Sequence, residues 1–237
     1  MKFGSMELDE HTAAWFAGWS AVRGYEGRTG PGYWAALRPD LNDGWEYVCA
    51  DPTHEAFAAL AAEVTVEANR SLCIVGPHIH DYVKWAHAAG MGMVSTSEHL
   101  MVCAMETQDN EDPFLVDPDL RLVVKQLGAR SSASACQARF TGAILRGDSV
   151  LAHGSVGVNG EYAVFDRLET HPGHRRQGLG MMMMKSLTAR ALDYPVTTGL
   201  VLASTGGQRL YHKLGWRSLS PMTVLVPRER LAQLARL

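Results

Sequence analysis

Apolar positions recur along the chain in two periods, and the changes of period mark its elements. Near the start, "EHTAAWFAGWSAVRGY" carries Trp15, Trp19 and Val22 at helical spacing, and "GRTGPGYW" breaks the pattern with glycines and a proline. "GWEYVCA" reads as a strand and "HEAFAALAAEVTVEA" as a helix. "SLCIVG" is a buried strand, "DYVKWAHAAG" a short helix ended by Gly90, and "HLMVCAM" another strand. Farther on, "LRLVVKQL" predicts a strand, "SSASACQARF" a helix, and "TGAILRG" with "SVLAHGSVGV" a hairpin turning at Gly147 and Asp148. "EYAVFDRLET" is a strand entered from an Asn159-Gly160 turn. It runs into the loop "HPGHRRQG" and then a helix whose stripe Leu179, Met183 and Leu187 faces the core. "TGLVLAST" is a buried strand, "GGQRLYHKLG" a helix capped by Gly215, and "MTVLVP" a final strand.

Between the two runs of elements lies "ETQDNEDPFLVDPD", acidic and carrying two prolines. Such a segment buries little, so the domain boundary is expected near residues 107 to 119, dividing 1–110 from 118–237. A chain of 237 residues, 46% of them hydrophobic, can build one sizeable core or two small ones. The net charge of -3 argues against a general nucleic-acid binder, which needs a basic surface to displace counterions. No apolar run approaches the ~20 residues of a membrane span, and a cytoplasmic location is expected. Cys49, Cys73, Cys103 and Cys136 are widely spaced with no C-x-x-C pair, so buried thiols are expected rather than a metal site or a disulfide framework.

The loop between the "EYAVFDRLET" strand and its helix changes the picture. A glycine-rich turn at a helix start lets backbone amides converge on an anion, helped by the helix dipole. Gly178 and Gly180 remove side chains from that approach, while Arg175 and Arg176 add charge. A P-loop would need Lys and Ser or Thr after the last glycine, where methionines stand, and the dinucleotide pattern G-x-G-x-x-G does not fit either. What remains is R-x-x-G-x-G, Arg175 to Gly180.

That pattern resembles the acyl-CoA signature of the GNAT superfamily of N-acyltransferases. Pro172 fits the family, and "STGGQRLYHKLGW" is similar to its second signature, with Leu210, Tyr211, Gly215 and Trp216 in place. Ser204 stands where asparagine is common and Gly207 where alanine is common. The resemblance covers roughly residues 120 to 226. It implies an α/β fold with a mixed central sheet flanked by helices, acetyl-CoA as cosubstrate, and direct attack of a primary amine on the thioester. Residues implied to contact acetyl-CoA are Leu168, Thr170, Arg175, Arg176, Gln177, Gly178, Leu179, Gly180 and Ser204. Tyr211 is the implied acid for the departing thiolate.

For the base, strict alternation puts Val164, Asp166, Leu168 and Thr170 on one face of the strand, and family bases fall on the face of Asp166. A β-bulge would bring Glu169 in instead. Asp166 has a second reading, as an edge carboxylate paired with Arg167 or Arg139. The acceptor is expected to be a small-molecule amine, with no nucleic acid, membrane or metal involved and the protein a monomer or homodimer. Protein or peptide N-acetylation and a CoA-binding sensor are the alternatives.

The first half has a pattern of its own. Setting "WAHAAGMGMVSTSEHLMV" beside "LYHKLGWRSLSPMTVLV" matches Gly90 to Gly215, His87 to His212, Leu100 to Leu225 and Ala86 to Tyr211. The first half therefore reads as a degenerate GNAT-like copy with no cofactor site. In the second half only "GARSSASACQARF" separates the first two strands, where the family places two helices that roof the acceptor. The acceptor pocket is therefore expected to be either unusually open or completed by the first half, with Trp34, Trp45, Tyr47 and Tyr82 as candidates for its wall.

Overall fold

The computed structural model describes residues 5–109, 111–128 and 136–234. The tryptophan-bearing N-terminal pattern forms helix α1 (Ser5–Arg23). The glycine-rich stretch after it does more than break the helix: β1 (Gly27–Gly30) and β2 (Tyr33–Arg38) form a hairpin reversing at Pro31 and Gly32. The first half continues as β3 (Gly44–Ala50), α2 (His54–Val64), β4 (Ser71–Val75), α3 (Ile79–Ala88) and β5 (Met91–Ala104). Thr53 caps α2, its hydroxyl accepting from the Ala56 amide at 3.3 Å.

The second half runs β6 (Leu120–Gln126), β7 (Ala138–Arg146), β8 (Ser149–Asn159), β9 (Tyr162–Thr170), α4 (Leu179–Ala191), β10 (Thr198–Ala203), α5 (Thr205–Lys213), β11 (Arg217–Pro227) and α6 (Arg228–Leu234). The helix expected over "SSASACQARF" is corrected at its C-terminal end, where Ala138 to Phe140 open β7; residues 131–135 lie outside the described residues. Ala138, Phe140 and Ile144 are buried on one face of that strand at period two, and this cross-sheet burial outweighs the helical propensity of the small residues before it. Helix α6 has no counterpart in the sequence reading.

The described residues build one eleven-stranded mixed sheet, in the order β1-β2-β3-β4-β11-β5-β10-β9-β8-β7-β6. Its centre carries the internal repeat. β3 and β4 are parallel, as are β9 and β10, and each pair is followed by a helix and a last strand. Those last strands are exchanged: β5 pairs with β10, β11 pairs with β4, and the two lie antiparallel side by side. Gly90 and Gly215 hold matching positions at the ends of α3 and α5, with φ of +74° and +83°. The first half is thus a degenerate copy of the second.

Helices α2 and α3 cover one core, around Tyr47, Leu72, Ile74 and Tyr82, and α4 with α5 cover another, around Ile144, Phe165, Met183 and Leu187. The alternate side chains of the central strands point to the opposite face, where α1 packs through Trp15, Phe16 and Trp19 against Val48, Val75, Leu100, Val164 and Leu200. A Cβ on Gly18 would stand 2.3 Å from Val164 Cγ2, so the absent side chain is what lets α1 approach β9. What the first half lays over this face of the second half's strands is α1. Of the four aromatic candidates, Tyr47 and Tyr82 are fully buried in the α2/α3 core, Trp45 packs against it, and Trp34 packs beside Phe16. Among the described residues no helix is long and apolar enough to cross a membrane.

Candidate active site

β9 and β10 are hydrogen-bonded from Tyr162 and Thr198 only as far as Phe165 and Val201. Beyond that point β9 runs on to Thr170 and β10 to Ala203 without pairing, so a wedge opens in the middle of the sheet. A bulge begins where the pairing stops: Arg167 and Leu168 together face Gly154 of β8, and Arg167 takes a φ of +53°. The extra residue reverses the alternation. The expectation that Asp166, Leu168 and Thr170 share a face is corrected accordingly. Leu168 packs with Phe165 against the α4 core and Thr170 lies beside Gly180, whereas Asp166 faces α1 and Glu169 follows it onto that side, 3.8 Å from His153. The bulge that would bring Glu169 in is present.

At the wide end of the wedge, β9 gives way to the turn Pro172–His174 and then to α4. Arg176 and Gly178 adopt φ of +64° and +82°, which turns successive amides toward one side of the loop. The amides of Arg176, Gln177, Gly178, Leu179 and Gly180 donate to no other described group, and they stand at the positive end of a buried helix. A Cβ at Gly178 would meet nothing within 4 Å, so the space over the loop is open. Gly180 is packed instead: its Cβ would lie 3.3 Å from Thr170 Oγ1 and 3.4 Å from Leu210 Cδ2. Arg175 folds back so that its Nε donates to the Thr170 carbonyl at 3.3 Å. Free amides, open space and two exposed arginines fit a diphosphate.

The other side of the wedge ends at Ser204, whose hydroxyl caps α5 by accepting from the Gly207 amide at 3.4 Å. Tyr211 lies in the second turn of α5, 3% exposed, its ring 5.4 Å from that of Trp216, which in turn meets Phe165 edge-on. Burial pushes the Tyr211 phenol well above its ordinary value near 10, and the Asp166 carboxylate adds to the shift. The hydroxyl is therefore protonated at physiological pH, and it donates to no other described group.

Residues 101–216 match the model of the acetyltransferase (GNAT) family, a span that holds the wedge, the loop and Tyr211. The chain carries a GNAT domain. No curated protein matches the sequence. Among solved structures the chain is similar to a GCN5-related N-acetyltransferase from Kribbella flavida, at 16% identity and a TM-score of 0.64 over 93% of this chain and 95% of that one. It is also similar to a putative GNAT acetyltransferase from Novosphingobium aromaticivorans, at 15% identity and a TM-score of 0.56 over 93% and 98%. A tandem GNAT protein from the clavulanic acid biosynthesis pathway matches at 11% identity and a TM-score of 0.57 over 92% and 94%. At such identities these likenesses concern the fold, and the last shares the doubled plan.

The degenerate copy lacks the wedge and the tyrosine of this site. β3 and β4 stay paired from Glu46 and Ser71 to the ends of both strands at Ala50 and Val75, so no wedge opens between them. Ala86 stands in place of Tyr211, and the Tyr82 hydroxyl donates to Asp51 across the corresponding end. In the GNAT domain itself, Asp166 is not paired with Arg167 or Arg139. Its partner is Arg23, the last residue of α1, which donates from Nε to Oδ2 and from Nη2 to Oδ1 at 2.9 Å. The two lie 143 positions apart, and no local pattern in the sequence links them. Glu98 of β5 is a second residue that sequence reasoning missed; burial raises its carboxyl, opposed by Arg23.

Proposed function

We propose that the protein is an acyltransferase that moves an acetyl group from acetyl-CoA to the primary amine of a small molecule by direct attack on the thioester. The observation that carries this reading is the wedge between β9 and β10 opening onto a loop of unsatisfied amides. Acetyl-CoA supplies an activated acyl carbon and a thiolate leaving group. The amides of Arg176 to Gly180 hold its diphosphate, with Arg175 and Arg176 adding charge. The unpaired edge of β9 at Leu168 and Thr170, with Ser204 opposite, borders its pantetheine arm.

The amine nitrogen bonds to the acyl carbon as the carbon–sulfur bond breaks, so one proton must leave nitrogen and one must reach sulfur. Tyr211 is suited to the second task, since its raised phenol keeps the proton until a thiolate appears beside it. Asp166 has both oxygens engaged by Arg23, which makes it a poor acceptor for the first. Glu169 is exposed on the same face and accepts the amine's proton directly or through water. Replacing Tyr211 by Phe tests the assignment. Turnover, read as free-thiol release, should fall roughly 10- to 1000-fold while acetyl-CoA affinity is retained. Equal turnover by both proteins would remove Tyr211 as the acid, and failure of the wild type to bind acetyl-CoA would end the reading altogether.

A further inference from the structure

A cavity of about 450 Å³ opens on the α1 face of the sheet, beside the point where β9 and β10 part. It is lined by three arginines, Arg23, Arg139 and Arg167, with Thr141, Ser155 and Val22 between them. The three arginines come from three elements, α1, β7 and β9. Arg139 and Thr141 project from β7 on the side opposite the α4 core, and Ser155 stands across from Asp166 in the β8–β9 register. Ser155 Oγ donates to Thr141 Oγ1 at 3.3 Å, and Thr141 Oγ1 donates to the Gly154 carbonyl at 3.3 Å, so the two hydroxyls form a polar floor. The bulge supplies the third arginine: the φ of +53° at Arg167 turns this side chain out of the strand's alternation and onto the cavity wall. A strained, non-glycine backbone at a cavity rim is where a ligand contact is to be sought.

The charges do not balance. Arg23 is matched by Asp166, but neither Arg139 nor Arg167 pairs with a carboxylate among the described residues. Arg139 is 6% exposed, and among the described residues its guanidinium donates only to the carbonyls of Ala21, at 3.0 Å, and Gly128. A buried arginine held by carbonyls and lacking a counterion is unfavourable unless something anionic visits it. Guanidinium forks over a polar floor are the donors that carboxylates and phosphates accept from.

We infer that this cavity is the acceptor site and that it takes a small primary amine carrying a carboxylate or phosphate, the anion lying between Arg139 and Arg167 and the amine reaching the wedge beside Asp166 and Glu169. The inference rests on the acyltransfer reading and names its substrate class. None of the aromatic wall candidates Trp34, Trp45, Tyr47 and Tyr82 lines the cavity, so charge rather than an aromatic surface distinguishes it.

Two pairs of amines test it on the full chain with acetyl-CoA: β-alanine against propylamine, and O-phosphoethanolamine against ethanolamine. The wild type should favour one or both anionic members by at least about tenfold in kcat/KM, mainly through KM. The two pairs separate carboxylate from phosphate. In Arg167→Gln that preference should shrink to within about threefold while acetyl-CoA affinity stays unchanged. Arg139→Gln should behave alike, and Arg167, being exposed, keeps the test open if the buried substitution unfolds the protein. A wild-type preference for the uncharged amines, or a preference that both variants keep, would overturn the inference. Should none of the four amines react, CoA-saturated protein is titrated calorimetrically with inorganic phosphate and with succinate, the diphosphate loop then being filled. Binding that Arg167→Gln loses supports the inference; no binding by the wild type, or binding the variant keeps, overturns it. Wild-type protein that does not bind acetyl-CoA at all would instead strike the acyltransfer reading, a result no arginine variant can mimic.

Discussion

At the scale of single residues, Gly178 and Tyr211 depend on opposite properties. Gly178 is defined by what it lacks, since its φ of +82° disfavours any side chain and the space where a Cβ would go is open. Gly178→Val should therefore do two things: strain the loop by about 1–2 kcal/mol and put a branched side chain into the open space over the loop amides, where the proposed diphosphate would lie. Acetyl-CoA affinity measured by calorimetry should fall at least about tenfold, with a small drop in Tm. Unchanged affinity would place the diphosphate elsewhere. Tyr211 is defined by its surroundings. Its folded phenol titrates above the unfolded value near 10, so the unfolded chain ionises first as pH rises. The stability linked to that group is complete below about pH 10 and is lost above it. Tyr211→Phe lacks the linkage, so the Tm difference between wild type and variant should change between pH 9 and 11 and stay constant below 9.

At the scale of elements, the decisive contact is α1 on β9. Helix α1 reaches the second half by close approach at Gly18 over Val164, and a matching approach places Val22 over Gly157. It then delivers Arg23 to Asp166 and the edge of the cavity. Enlarging Gly18 should force the helix off the sheet, since the space is filled by a branched side chain rather than by a flexible one. Gly18→Val is expected to destabilise by about 1–3 kcal/mol in urea unfolding, and Val164→Ala in the same chain should recover part of the loss. Strictly additive effects would mean that the two positions do not share the contact. The bulge in β9 is the other deciding element, because one extra residue exchanges Leu168 for Glu169 on the α1 face of the sheet.

At the scale of the whole molecule, strand exchange joins the halves. β10 has β9 on one side and β5 on the other, and β11 has only β4 and β5 as neighbours. A chain beginning at residue 118 would keep the loop and Tyr211 yet lose β5, α1 and both neighbours of β11. It would expose the strand edge of β10 and the apolar face around Val164 and Leu200, where each Å² left in water costs about 25 cal/mol. Expression of residues 118–237 alone should give aggregated protein, or, where it stays soluble, protein that binds acetyl-CoA but acetylates its amine poorly. Size-exclusion chromatography and circular dichroism decide the first point and steady-state kinetics the second. A soluble monomer with the parent's acceptor KM would make the first half an independent module.

Local chemistry made much of this protein legible before any tertiary information. The amide loop rests on glycines that can be read in place, the Leu179, Met183 and Leu187 stripe follows the helical period, and the Gly90 and Gly215 match exposed the repeat. Each of these depends on residues close together in the chain, where spacing determines geometry. What tertiary structure alone decided is long-range or depends on parity. The exchange of β5 and β11, the pairing of Arg23 with Asp166 across 143 positions, and the packing of α1 on β9 all depend on which strands become neighbours. The faces of Leu168, Glu169 and Thr170 depended on one bulged residue, whose presence β8 decides by pairing Ser155 with Asp166 and His153 with Glu169. An alternating sequence cannot show such a bulge, because period two is the same on either side of it and only the partner strand reveals the skipped place.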